Sequence, residues 1–194
     1  MAVKQILAAT VAIFFLDVLA GGLLSRFLAL TPALVMAQPW TIVTSIFLHG
    51  GIMHIFLNMF GLLMFGPILE AKIGGKNFVC LYLISGIIGN LGYILTAGMG
   101  GLPVLGASGA IYGILGALAV LQPNLMVLVW FMPMPIYMAA VAWFFIELGS
   151  GITGAQPGIA NFAHLFGLFG GIGLGMMFKK EIISKGGWLH EDDR

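Results

Sequence analysis

Apolar residues run through this chain in long blocks. Short clusters of glycine, proline and charge break it into six segments. Residues 5–24, 51–69, 78–97, 125–146 and 159–178 each come close to or exceed the ~20 apolar residues that cross a bilayer as a helix. A sixth block, 108–121, is shorter. It fits as a helix whose N-terminus is sunk below the membrane surface, shielded by protein and facing a wet cavity. The separators are distinct. Arg26, Pro32, Pro39 and Trp40 follow the first block, and a charged turn from Glu70 to Lys76 ends the second. A glycine-rich link covers 98–106, and Gln122-Pro123-Asn124 breaks the chain after the short block. A Gly/Ser/Thr-rich link covers 147–158, and Lys179-Lys180 closes the last block.

Composition makes the membrane reading firm. The 194 residues are 60% hydrophobic and 8% charged, against roughly 25% charged in soluble domains, and mean hydropathy is +1.09. The expected fold is an all-α membrane protein, a six-transmembrane-helix bundle over 1–178 with a short, charged, mobile cytoplasmic tail at 179–194. The first block is too long for a signal-peptide core and reads as a true span. Net charge is +1, which gives no reason to expect nucleic-acid binding. Cys80 is the one cysteine, so no intrachain disulfide or cysteine metal cluster can form, and it reads as a packing residue. No internal repeat suggests an inverted-repeat transporter.

Charge orients the bundle. Six crossings put both termini on one side, together with Lys4, Lys72, Lys76, Lys179, Lys180, Lys185 and Arg194; the other side holds Arg26. The positive-inside rule then places N- and C-termini in the cytoplasm of a multi-pass protein of the cell (plasma) membrane. In this topology Ser108 and His164 both begin blocks entering from outside, at one end of the bundle.

Polar groups in such apolar surroundings are costly and tend to have a function. Ser108, in Gly106-Ala107-Ser108-Gly109, stands where a helix N-terminus favours an oxyanion. Alone, it also reads as an N-cap or a close helix contact. His164, in Ala163-His164-Leu165-Phe166-Gly167, is either a general base or a histidine bonded to a neighbouring helix. His54 and Asn58, four apart, share one helix face and read as paired oxyanion donors or as interhelical polar contacts. His49 sits nearer the surface. The spacing of His49 and His54 does not put two rings on one face, so no metal site and no cofactor are expected. Tyr112, one turn after Ser108, is placed to stack on His164. Gly109 and Gly113 form one GxxxG face, and Gly167 and Gly171 another. They read as an internal contact bringing Ser108 to His164 rather than as a dimer motif. Asp17 falls in the first block with no basic partner and no assigned role. Glu70 reads as structural.

These residues resemble the rhomboid intramembrane serine proteases over about 32–178. The resemblance rests on His49-Gly-Gly-Ile-Met-His54-Ile-Phe-Leu-Asn58, on Phe65-Gly66-Pro-Ile-Leu-Glu70, on Gly106-Ala-Ser108-Gly109-Ala-Ile-Tyr112-Gly113 and on Ala163-His164-Leu-Phe-Gly167. It implies a Ser108 nucleophile and a His164 base, a dyad with no acid. It also implies an oxyanion hole of His54, Asn58 and the Ser108 N–H, with Tyr112 on His164 and with Gly106, Gly109 and Gly167 supporting. The implied partners are transmembrane protein substrates and the lipid bilayer; oligomeric state is left open. Trp40 is followed by Thr41 where many members carry Trp-Arg, which bears on how the first outside loop is anchored. The chain resembles the minimal six-span form. Two readings compete with a protease. One is a non-catalytic relative that binds transmembrane clients, expected to lack the serine or histidine. The other is a small transporter or channel, expected to carry ionisable residues through its full depth.

Overall fold

The structure is a computed structural model describing residues 1–129, 131–155 and 160–184. Five of its helices are long and apolar enough to cross a membrane: α1 (Ala2–Leu19), α4 (Ile52–Ile73), α5 (Gly75–Ala97), α7 (Ile136–Thr153) and α8 (Asn161–Ser184). Short helices α2 (Leu23–Leu28) and α3 (Thr41–Thr44) lie in the first loop. The sixth apolar helix, α6 (Ser108–Leu121), has 14 residues, or about 21 Å of rise against a hydrocarbon core of about 30 Å. It compensates by position. Ile114, Ala117, Leu118 and Leu121 are fully buried, and α6 packs against α4, α5, α7 and α8. The bundle is the all-α membrane architecture expected from the hydropathy pattern.

Helix ends depart from the hydropathy blocks for local reasons. The first block was expected to run to 24, yet α1 stops at Leu19. Gly21 takes φ +64°, the Gly22 N–H bonds the Asp17 carbonyl at 2.8 Å and the Gly21 N–H bonds that of Val18 at 3.1 Å. This is a Schellman ending, which glycine permits without steric cost. Asp17 is therefore in the last turn of α1. Its carboxylate accepts the backbone N–H of Ser25 at 3.1 Å and the Ser25 hydroxyl, tying down the start of α2. The charged turn from Glu70 is also mostly helical; Gly74, at φ +80°, alone separates α4 from α5. Glu70 is buried and accepts the N–H groups of Ala2 and Val3 at 2.6 and 3.0 Å. It satisfies two of the four donors that the start of α1 leaves open.

The fifth block needs the largest correction. Residues 126–129 and 132–135 are not helical. Met126–Val129 (β1) and Met132–Pro135 (β2) form an antiparallel hairpin, and α7 starts only at Ile136. Pro133 and Pro135 lack the N–H that a helix interior requires. A hydropathy window cannot tell an apolar strand from an apolar helix. At its other end α7 continues to Thr153, so Glu147, expected in a link, lies inside it. The last helix likewise passes Lys179-Lys180 to Ser184. The expected tail thus begins within α8, and its residues from 185 on lie outside the described residues, as does part of the 147–158 link.

The glycine faces set the tightest contact in the bundle. A β-carbon on Gly167 would stand 2.1 Å from the Gly109 carbonyl oxygen, so α6 and α8 meet backbone to backbone. A third helix joins them. A β-carbon on Gly89 of α5 would lie 2.7 Å from the Ala163 carbonyl oxygen.

Candidate active site

Ser108 is the first residue of α6, and His164 lies in the first turn of α8. Close approach of the two backbones leaves their side chains facing each other at one end of the bundle. Ser108 Oγ is 2.7 Å from His164 Nε2, the distance of a strong hydrogen bond. Tyr112, one turn along α6, lies parallel to the imidazole, with ring centroids 4.5 Å apart and planes 5° apart. That stack fixes the plane of the ring.

The other ring nitrogen meets an acid. His164 Nδ1 stands 3.0 Å from Glu147 Oε1. The contact lies off the N–H line, since Nδ1 makes no aligned hydrogen bond. The carboxylate is held by two further donors. The Tyr112 hydroxyl donates to Oε1, and Asn161 Nδ2 donates to Oε2 at 2.6 Å. Glu147, Asn161 and His164 are all buried.

Beside the serine a cavity of about 420 Å³ is lined by Ser108, His164, His54 and Asn58, with Gly50 and Leu105 among its other walls. His54 and Asn58 occupy the first two turns of α4 and, as their spacing predicts, face the same side. Asn58 Nδ2 donates to the His54 carbonyl at 2.9 Å, and its Oδ1 is buried without a partner. Gly106 packs against His54 of this wall. It takes φ +136°, and a β-carbon there would sit 2.9 Å from His54 Nε2, so both its conformation and its lack of a side chain are needed. His49 packs edge-on to His54, with centroids 5.0 Å apart, and its Nε2 faces the Ala107 N–H at 3.5 Å. Burial pushes the His49 imidazole down to about 4; the neighbouring His54 adds to this, and the Phe47 backbone opposes it.

A family model for the Rhomboid domain matches residues 36–181. The chain belongs to the rhomboid family. It is 37% identical over 134 residues to a putative rhomboid protease of Bacillus subtilis, covering 68% of this chain and 63% of that protein. It is 32% identical over 170 residues to rhomboid-like protease 3 of Toxoplasma gondii, covering 83% and 60%. Against the mitochondrial RHOMBOID-like protein 6 of Arabidopsis thaliana it is 32% identical over 154 residues, covering 78% and 47%. The chain thus spans less than two thirds of the length of each of these relatives.

In this rhomboid the structure brings together the residues singled out in the sequence: Ser108, His164, His54, Asn58, Tyr112, Gly106, Gly109 and Gly167. The first loop is held without a Trp-Arg pair. Trp40 Nε1 donates to the Phe27 carbonyl at 3.1 Å, Thr44 Oγ1 to that of Leu28 at 2.8 Å, and Asn90 of α5 to that of Ile42 at 2.7 Å. Sequence reasoning missed Glu147 and Asn161. The resemblance implies a dyad with no acid, and the structure places a carboxylate against the second nitrogen of the histidine ring. The available signal was an acidic residue at the edge of an apolar block, which was read as the start of a loop.

Proposed function

We propose that this rhomboid is an intramembrane serine endopeptidase that cuts transmembrane segments of other proteins, with Ser108 as nucleophile and His164 as general base. The observation that carries this reading is the 2.7 Å approach of Ser108 Oγ to His164 Nε2 beside an open cavity. A serine hydroxyl is a weak nucleophile until a base in hydrogen-bond reach takes its proton.

The Oγ proton passes to Nε2 as Oγ attacks the scissile carbonyl carbon. The carbonyl electron pair becomes the oxyanion. His54, Asn58 and the Ser108 N–H are the donors we assign to it; Asn58 carries two N–H donors and spends one on its own helix. Nε2 then protonates the departing amine as the C–N bond breaks. Water entering the cavity hydrolyses the acyl-serine by the same route in reverse. A helical substrate engages its amides and hides its carbonyls, so small and helix-breaking residues near the cut favour cleavage.

Lys72 and Lys76 lie at the α4–α5 junction, and Lys179 and Lys180 near the end of α8, the helix ends away from Ser108 and His164. With the positive-inside rule this supports cytoplasmic termini and a site opening on the opposite face.

The test is labelling of the detergent-solubilised protein by a fluorophosphonate, comparing the parent with Ser108→Ala and His164→Ala. Labelling of the parent that vanishes in both variants is the expected result. A well-folded parent that neither labels nor cleaves a transmembrane substrate overturns the protease reading in favour of a client-binding relative.

A further inference from the structure

Histidine can serve as base toward Ser108 only if its neutral ring carries the proton on Nδ1 and leaves Nε2 bare. Nothing in a serine–histidine pair enforces that tautomer. In water the imidazole exchanges freely between its two forms, and the wrong one presents N–H to the hydroxyl. A group that accepts from Nδ1 removes the ambiguity and stabilises the imidazolium formed as Ser108 attacks.

We propose that Glu147 is that group: a positioning residue that holds His164 in the Nδ1–H form and balances its charge during proton transfer. The proposal rests on the protease reading above and deepens it, from a pair to a relay of serine, histidine and acid. Three observations carry it. Glu147 Oε1 lies 3.0 Å from Nδ1, on the side of the ring opposite Ser108. The carboxylate is buried, and donors from two other helices converge on it: the Tyr112 hydroxyl from α6, and Asn161 Nδ2 from α8 at 2.6 Å. The acceptor that faces Nδ1 is therefore itself anchored. Tyr112 does two jobs, since its ring sets the imidazole plane while its hydroxyl sets the carboxylate. The contact at Nδ1 is not aligned in the resting site, as is common before substrate tightens catalytic hydrogen bonds.

The bookkeeping of the step is unchanged by the acid. The Ser108 proton goes to Nε2, the Nδ1 proton stays on Nδ1, and Glu147 remains a carboxylate throughout.

Two measurements test this. The first is cleavage kinetics on a transmembrane substrate for the parent, Glu147→Gln and Glu147→Asp. Gln preserves shape and removes the charge. The expected result is a fall in kcat of about 10²-fold or more for Gln, with KM within about twofold, and substantial recovery in Asp. A Gln variant that keeps the parental kcat overturns the proposal. The second is the ¹⁵N spectrum of histidine-labelled parent protein in its neutral form. An Nδ1–H ring at His164 supports the proposal, and an Nε2–H ring overturns it, whether or not the variants fold. A parent that neither labels nor cleaves sinks the protease reading; the tautomer still decides the role of Glu147 on its own.

Discussion

Gly171 of α8 lies so close to Gly113 of α6 that a β-carbon on Gly171 would stand 1.9 Å from the Gly113 carbonyl oxygen. Backbone cannot retreat as a flexible side chain can. Gly171→Ala must therefore push the helices apart, and overpacking of this kind costs about 1–3 kcal/mol or more. The expected outcome is a lower melting temperature in detergent together with lost fluorophosphonate labelling, because the same helix pair carries Ser108 and His164. Gly173, two residues on, has open space where its β-carbon would be. Gly173→Ala should melt at or above the parental temperature and label normally. Equal melting of the two variants would show that the glycine faces do not set the register.

Asn58 and Gly106 test the cavity wall from two directions. Asn58→Ala removes an amide donor, and loss of one oxyanion donor costs about 10²–10³ in rate. Gly106→Ala leaves every donor in place, but it strains a backbone at φ +136° and drives a methyl to within 2.9 Å of His54 Nε2. Both should lower kcat on a transmembrane substrate. Only Gly106→Ala should also move the melting temperature by more than a degree or so. A parental kcat in Asn58→Ala would remove it from the oxyanion hole.

The pH dependence of folding should carry the mark of His49. Its imidazole titrates at about 4 in the folded protein, against an ordinary value of 6.5. Above 6.5 the ring is neutral in both folded and unfolded chains, and its contribution is complete. As pH falls from 6.5 to 4 the unfolded chain takes up the proton first, so stability declines, by about 3 kcal/mol in total. Below 4 this contribution is flat. Melting measured from pH 7.5 to 4 should fall less steeply in His49→Gln than in the parent, even if the variant starts lower. Parallel curves would mean that His49 takes up its proton as readily in the folded protein as in the unfolded chain.

What was legible in the sequence followed from residue type and spacing. Ser108 and His164 could be read as polar groups set in apolar blocks, and the two GxxxG faces because a helix has a fixed period, so positions four apart must share a face. Glu147 could not be read that way. Its role depends on how far α7 extends and which way it turns, and the hairpin that delays its start is invisible to hydropathy. The same holds for the glycines of α5. Gly86, Gly89 and Gly92 recur every third residue, yet nothing local says that one would meet Ile46, the next the Ala163 carbonyl and the last the Phe166 ring. Pairings between helices distant in sequence are what the structure adds.

Asp17 completes the argument, since the sequence offered it no partner. Its carboxylate bonds the Ser25 N–H at 3.1 Å and the Ser25 hydroxyl, so the end of α1 caps the entry to α2 across the Gly21–Gly22 reversal. Loss of a capping side chain costs about 0.5–2 kcal/mol. Asp17→Ala should therefore lower the melting temperature modestly. Asp17→Asn keeps an acceptor oxygen and should recover most of the difference. Ser25→Ala, which retains the backbone donor, should fall between the parent and Asp17→Ala. Because α2 carries Phe27, whose carbonyl receives Trp40 Nε1, the Asp17→Ala variant should also lose hydrogen-exchange protection through the first loop, while Ser108 still labels. Unchanged protection at Phe27 and Trp40 would show that the loop is held by its own contacts, independently of the Asp17 cap.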